Sequence, residues 1–335
     1  MPFKRSRTAL SVVSVLALAL GLAACGSEAG SDRPAAADGG KGAAPSAAKS
    51  STPPKPTKVL MPTGPEAEFK KIRDTAAGPI RATTLTGPKS GVTAKVWVWL
   101  PPEYNDPKYA KTGFPVLTLY AGGQSANYNT WTDNQLPIQE IGAEMSKAGK
   151  AHPFIMVMPV QNLDTNEAKA LECSDIPGQP KIGTWMAQDI PDFVRANFRT
   201  VKGRDGWGLM GASTGAFCSA KLALQHPDVF KAAVPIDGYF NPDSPLWKGH
   251  EAERLANSPG ELITKGADVR MLATAGGANP NELKVVKTWV AKAAAPTTVE
   301  YYEQPGGKHL TTDFKKMIPA TLEWLTKNLA GPEHD

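Results

Sequence analysis

Ser213 stands between two glycines, in Gly211-Ala212-Ser213-Thr214-Gly215. A serine hydroxyl attacks a carbonyl only when it stands clear of the backbone and something takes its proton. This spacing answers the first need. Where a strand turns sharply into a helix, the central residue is forced into a strained conformation, and bulk two positions to either side would clash. The pentapeptide matters because of its context: residues 206–211 ahead of it read as a strand, and residues 216–227 behind it as a helix ended by Pro227. That order predicts Ser213 Oγ above the C-terminal edge of a sheet. The Thr214 amide then lies at a helix N-terminus, where negative charge is favoured.

The second need is a base, and the chain has five histidines. His152 precedes a proline and a strand, His226 ends a helix, and His250 and His334 lie in polar, loop-like sequence. His309 follows Gly306-Gly307-Lys308, between a strand and the last helix. A glycine-rich loop there leaves an imidazole free to reach across strand ends, so His309 is expected as general base and then general acid. A carboxylate should fix its tautomer, in the order serine, acid, histidine. Glu282, in Gly276-Gly277-Ala278-Asn279-Pro280-Asn281-Glu282-Leu283, is the preferred acid. Asp237, at the end of Val234-Pro235-Ile236-Asp237, is the alternative. Two amides should receive an oxyanion: Thr214 N–H and, from the loop around Gly122, Gly123 and Gln124, that of Gly123.

The elements that must hold these residues alternate. Strand-like runs occupy 94–102, 114–123, 154–160, 206–211, 232–237, 269–277 and 298–307, and several are continuously apolar, as in strands covered on both faces. Helical spacing occupies 186–198, 214–225, 282–294 and 312–328, the last interrupted by Pro319. This alternation predicts an α/β domain with a mostly parallel central sheet and helices on both faces. Trp131, Trp185, Trp247, Tyr239 and Phe240 fall in or near loops around the site and are candidates to line a pocket.

At these residues the chain resembles the esterase D/feruloyl esterase/mycolyltransferase family of α/β hydrolases. The resemblance spans roughly residues 90–330. It rests on LYAGGQSANYNTW, on GLMGASTGAFCSAKLALQHPDVF around the serine, and on QPGGKH near the end. It implies an α/β-hydrolase fold and a serine esterase working through an acyl-enzyme, without metal or nucleotide. Ser213 would be nucleophile, His309 base, and Thr214 with Gly123 the oxyanion donors. It equally implies an acyltransferase passing the acyl group to an envelope or sugar hydroxyl. A third reading is a hydrolase fold retained only to bind envelope components. The family often has His-Gly or Asp-Gly where this chain has Ala121-Gly122, which argues against a trehalose substrate.

Other cofactor signatures fail. Gly206, Gly208 and Gly211 spell G-x-G-x-x-G but fall inside the expected strand, whereas a dinucleotide loop follows one. There is no phosphate-binding G-x-x-x-x-G-K-[ST], no H-E-x-x-H and no paired C-x-x-C, so neither a cofactor nor a metal is expected. The formal charge of +5 falls to +2 once Lys4, Arg5 and Arg7 are set aside, and no basic stripe suggests nucleic acid.

Those three basic residues begin a leader. An apolar stretch from Leu10 to Leu22 follows, then Leu22-Ala23-Ala24-Cys25-Gly26, a small-small-Cys ending that resembles a lipoprotein lipobox. The expectation is a signal peptide over 1–24, lipid on Cys25, and an extracytoplasmic protein anchored to a bacterial membrane. Residues 25–60, rich in Ala, Gly, Ser and Pro, would be a disordered tether reaching on the order of 30 Å. The esterase domain would follow from 61 to 335. The remaining cysteines, Cys173 and Cys218, make an even pair outside the reducing cytosol and are expected to form a disulfide. The expected partner besides the membrane is a small-molecule or envelope ester.

Overall fold

A computed structural model of the chain describes residues 57–123 and 126–335. The leader, Cys25 and nearly all of the tether lie outside the described residues. The folded unit begins slightly before the expected residue 61. Val59–Leu60 already pairs antiparallel with Thr200–Val201. The Lys58 and Val59 amides both donate to Asp335 Oδ1, at 2.8 and 3.2 Å, and Lys58 Nζ lies 3.2 Å from Glu333.

Nine strands form the central sheet: β1 (Lys70–Thr75), β2 (Gly78–Thr86), β3 (Thr93–Trp99), β4 (Val116–Tyr120), β5 (Ile155–Pro159), β6 (Trp207–Ala212), β7 (Ala232–Ile236), β8 (Arg270–Gly276) and β9 (Thr298–Gln304). Their spatial order is β9-β8-β7-β6-β4-β5-β3-β2-β1. The six strands from β4 to β9 run parallel, and β3, β2 and β1 continue from β5 as an antiparallel extension. The pattern of apolar runs did not reveal β1 and β2. They carry Lys-Lys-Ile-Arg-Asp-Thr and the threonine-rich run Thr83-Thr84-Leu85-Thr86, and no residue of the outermost strand is fully buried. An edge strand packs too little apolar surface to leave an apolar signal.

Every residue of β4, β5, β6 and β7 is buried, which requires cover on both faces. The principal helices are α1 (Ile138–Lys147), α2 (Ile190–Asn197), α3 (Thr214–Gln225), α4 (Pro280–Val290) and α5 (Thr311–Asn328). Helix α3 packs on β6, β7 and β4, while α4 packs on β8 and β9 and α5 packs against α1. Before α2 the chain is already helical from Ile182, passing through one π-helical stretch, Trp185–Asp189. Pro319 does not start or end α5; it sits inside it on the exposed side. The carbonyl that loses its partner one turn earlier belongs to exposed Lys315, where water can replace the missing N–H.

Between β5 and α2 an irregular strap is pinned over α3. Cys173 is disulfide-bonded to Cys218 of α3, with Cα atoms 5.7 Å apart. Glu172 and Cys173 both have left-handed backbones, at φ 48° and 54°. Fixed partners hold that strained pair in place. Buried Glu172 accepts hydrogen bonds from Trp247 Nε1 (2.6 Å), the Asp243 amide (3.0 Å) and Tyr239 Oη (3.3 Å). Lys221 of α3, 1% exposed, donates from Nζ to Cys173 O (2.5 Å), Ser174 Oγ (2.7 Å) and Asn257 Oδ1 (3.3 Å). None of those acceptors is a carboxylate, and burial pulls the ammonium down from 10.5 to about 7.

Two outcomes follow from the strap. Cys173→Ser should lower the unfolding free energy by about 2–4 kcal/mol, read from urea denaturation without reductant. From pH 7 toward the ordinary lysine value, the unfolded chain holds a proton on Lys221 that the folded chain has released. The folded state should therefore gain stability from this residue as pH rises through that window. Urea midpoints at pH 7 and 9.5 should rise for the parent relative to Lys221→Met; a constant difference between the two would contradict the burial.

Candidate active site

Ser213 lies at the junction of β6 and α3, as its spacing predicts, with φ 57° and ψ −118°. An L-residue pays for that conformation, so it persists only where its surroundings impose it. Ser213 N–H donates to Ile236 O of β7 at 2.9 Å, and Ser213 O accepts from the Ala216 and Phe217 amides at 2.9 and 3.2 Å. The flanking glycines are steric necessities. A Cβ on Gly211 would strike the Gly215 backbone, and one on Gly215 would strike the Tyr120 carbonyl.

One strand along, the same device recurs. Asp237 follows β7 with φ 50°, and its N–H donates to Thr274 O of β8 at 2.8 Å. Gly238 lets this turn sit close against Ala216 of α3. The Asp237 side chain is 1% exposed, and its Oδ2 lies 3.1 Å from His309 Nδ1. His309 itself enters on the turn after β9. There Gly306 is left-handed at φ 64°, and Gly307 O accepts the Ala278 amide at 2.8 Å. Just after it, the Lys308 amide is capped by Asp313 Oδ2 at 2.9 Å, which fixes the start of α5. The imidazole stands edge-on to Phe314, with ring centroids 5.1 Å apart.

This geometry corrects the preference for Glu282. The carboxylate hydrogen-bonded to the imidazole belongs to Asp237; Glu282 sits on the first turn of α4 nearby. The reason is strand order. Asp237 ends the strand beside the one that carries Ser213, so its short side chain arrives buried, whereas Glu282 reaches in from the rim. The Asp237 hydrogen bond raises the His309 pKa above its ordinary value, against an opposing effect of partial burial; the Asp237 and Glu282 charges add to the rise.

Ser213 and His309 open onto one cavity of about 280 Å³, lined also by Gly122, Gly123, Thr130, Leu136, Leu310 and Phe314. Gly122 packs against Ser213, close enough that an added Cβ would lie 3.4 Å from the serine Cβ. Gly123 has φ 69°. Thr214 begins α3. The structure therefore brings Ser213, Thr214, Gly123, His309 and Asp237 to one end of the sheet.

The aromatics expected around the pocket do not line this cavity. Trp131, Trp185, Trp247 and Phe240 are buried in packing, with Trp131 Nε1 donating to Tyr120 O at 2.7 Å and Phe240 stacked 4.0 Å from Trp289. Tyr239 is half-buried and stacks on Phe217 of α3. The apolar walls come instead from Leu136, Leu310 and Phe314. Leu136 lay in a loop with no periodicity, and the other two follow His309 closely enough for that position to have pointed to them.

The chain is 21% identical over 301 residues to an uncharacterised protein of Corynebacterium glutamicum, covering 82% of this chain and 68% of that one. Among solved structures it is similar to an S-formylglutathione hydrolase from Agrobacterium tumefaciens, with a TM-score of 0.63 and 14% identity over 78% of this chain and 99% of that one. It is also similar to a ferulic acid esterase, with a TM-score of 0.60 and 16% identity over 75% of this chain and 97% of that one. These structural likenesses show the α/β-hydrolase fold. The family model described as "Putative esterase" matches residues 89–325, which takes in every side chain of the site. The chain belongs to that esterase family.

Proposed function

We propose that the protein cleaves a carboxylic ester through an acyl-enzyme formed on Ser213. The observation that carries this reading is the left-handed Ser213 at the strand-to-helix turn, sharing a cavity with an imidazole whose far nitrogen is bonded to a buried aspartate. His309 Nε2 takes the serine proton as Oγ attacks the carbonyl carbon, and Asp237 accepts the Nδ1–H bond and stabilises the imidazolium. The Thr214 and Gly123 amides receive the oxyanion. His309 then returns the proton to the leaving alkoxide, and water attacks the acyl-enzyme by the same route. An acceptor hydroxyl in place of water would make the same site an acyltransferase, and product analysis with and without added alcohol separates the two.

The expected setting is outside the cytoplasm, with the domain tethered through lipid on Cys25. The disulfide joining the strap to α3 suits an oxidising compartment. The described residues contain no helix long and apolar enough to cross a membrane. Acyl chains on Cys25 would supply the attachment.

Ser213→Ala should lower turnover of a short p-nitrophenyl ester by a thousandfold or more (on the order of what nucleophile removal costs serine hydrolases) with an unchanged far-UV spectrum. Retained turnover would refute the assignment. Asp237→Asn should cost on the order of ten-thousandfold in kcat, through the wrong imidazole tautomer. Glu282→Gln should cost less than about tenfold, as expected of a charge that is not hydrogen-bonded to the base. The reverse ranking, measured under the same conditions, would restore Glu282 as the acid.

A further inference from the structure

Asp237, Glu282 and His309 arrive from three separate loops: after β7, at the start of α4 and after β9. One donor atom from each lies within 4.8 Å of the other two. Two carboxylate oxygens in this group are buried without a hydrogen-bond partner, Asp237 Oδ1 and Glu282 Oε2. Among the described residues, no lysine or arginine is ion-paired with either acid. Buried carboxylate oxygens left unpaired are costly, so the cluster carries unsatisfied negative charge beside a nitrogen ligand.

We propose that Asp237, Glu282 and His309 form a reversible site for zinc or a similar divalent transition-metal ion, and that its occupancy switches the esterase off. One imidazole nitrogen and two carboxylate oxygens make a three-ligand set that leaves a fourth position for water. Magnesium and calcium prefer all-oxygen shells with more ligands. Zinc bonds of about 2.0–2.2 Å bring neighbouring ligand atoms to about 3.3–3.6 Å of one another. His309 Nδ1 and Asp237 Oδ2 are already 3.1 Å apart, so the remaining closure falls to the half-exposed Glu282 side chain. No contiguous motif announces such a site, because its members are separated by 45 and 27 positions in the chain.

The inhibitory step is a change of tautomer, and for that step the proposal rests on the serine mechanism above. In the metal-free site the neutral imidazole carries its proton on Nδ1 and offers the Nε2 lone pair to Ser213. Metal bound at Nδ1 uses that nitrogen's lone pair, and the proton moves to Nε2. No proton is lost, but the atom that must accept from Ser213 is now a donor.

Calorimetric titration of zinc chloride into the untagged mature protein tests binding without reference to activity. One zinc per chain is expected, bound equally by Ser213→Ala. Glu282→Gln should weaken it at least tenfold and His309→Ala more, while His250→Ala leaves it unchanged and magnesium chloride gives no saturable heat. Turnover of the p-nitrophenyl ester, normalised to each variant's own metal-free rate, should fall with zinc occupancy and return with EDTA. The absence of saturable zinc binding, or binding indifferent to both Glu282→Gln and His309→Ala, overturns the site. Zinc bound as described with turnover undiminished overturns the switch. A parent protein that never hydrolyses esters would instead defeat the serine reading, and the calorimetry would still decide the metal site.

Discussion

A single backbone conformation organises this end of the molecule. At φ 57° Ser213 is in territory that side chains avoid, and it stays there because its N–H is captured by Ile236 O and glycines stand two residues to either side. The sheet ladder is thus carried one residue past the end of β6. Asp237 repeats the arrangement one strand along, with its own N–H held by β8. Two strained residues thus follow adjacent parallel strands: Ser213 opens onto the cavity, and buried Asp237 reaches it through the imidazole of His309. The exposed imidazole then needs only a flexible entry, which Gly306 and Gly307 supply.

How far the sequence announced this depended on the kind of signal each residue left. The serine and histidine were legible because each sits in a local pattern with a steric or conformational cause. The parallel core was legible because strands buried on both faces read as unbroken apolar runs. The acid was not legible to the same degree. Asp237 and Glu282 both follow late strands near a plausible turn, and only the spatial order of strands, which chain position does not encode, put Asp237 beside the strand that leads to Ser213. The hairpin of β1 and β2 escaped for the opposite reason, since an edge in contact with water has no apolar pattern to show.

The aromatic residues teach a similar lesson. Position in a loop near the site suggested pocket walls, yet Trp131, Trp185, Trp247 and Phe240 are taken up by packing, and the indoles of Trp131 and Trp247 also donate hydrogen bonds. Trp247 in particular serves the strap, donating to the buried Glu172 carboxylate. That carboxylate also holds Asp243 and Tyr239, so the loop that begins at Asp237 is braced from the side of the strap while α3 is braced by the disulfide. Burial raises the Glu172 pKa, and the Asp243 amide, the Trp247 indole and the Ser244 amide offset part of that cost.

The clasp between Lys58, Val59 and Asp335 has a mechanical meaning. The segment entering the fold is hydrogen-bonded to the segment leaving it, and Glu333 adds an ion pair on Lys58. A pull exerted through residue 57 therefore meets this knot and the Val59–Leu60 ribbon before it reaches the central sheet.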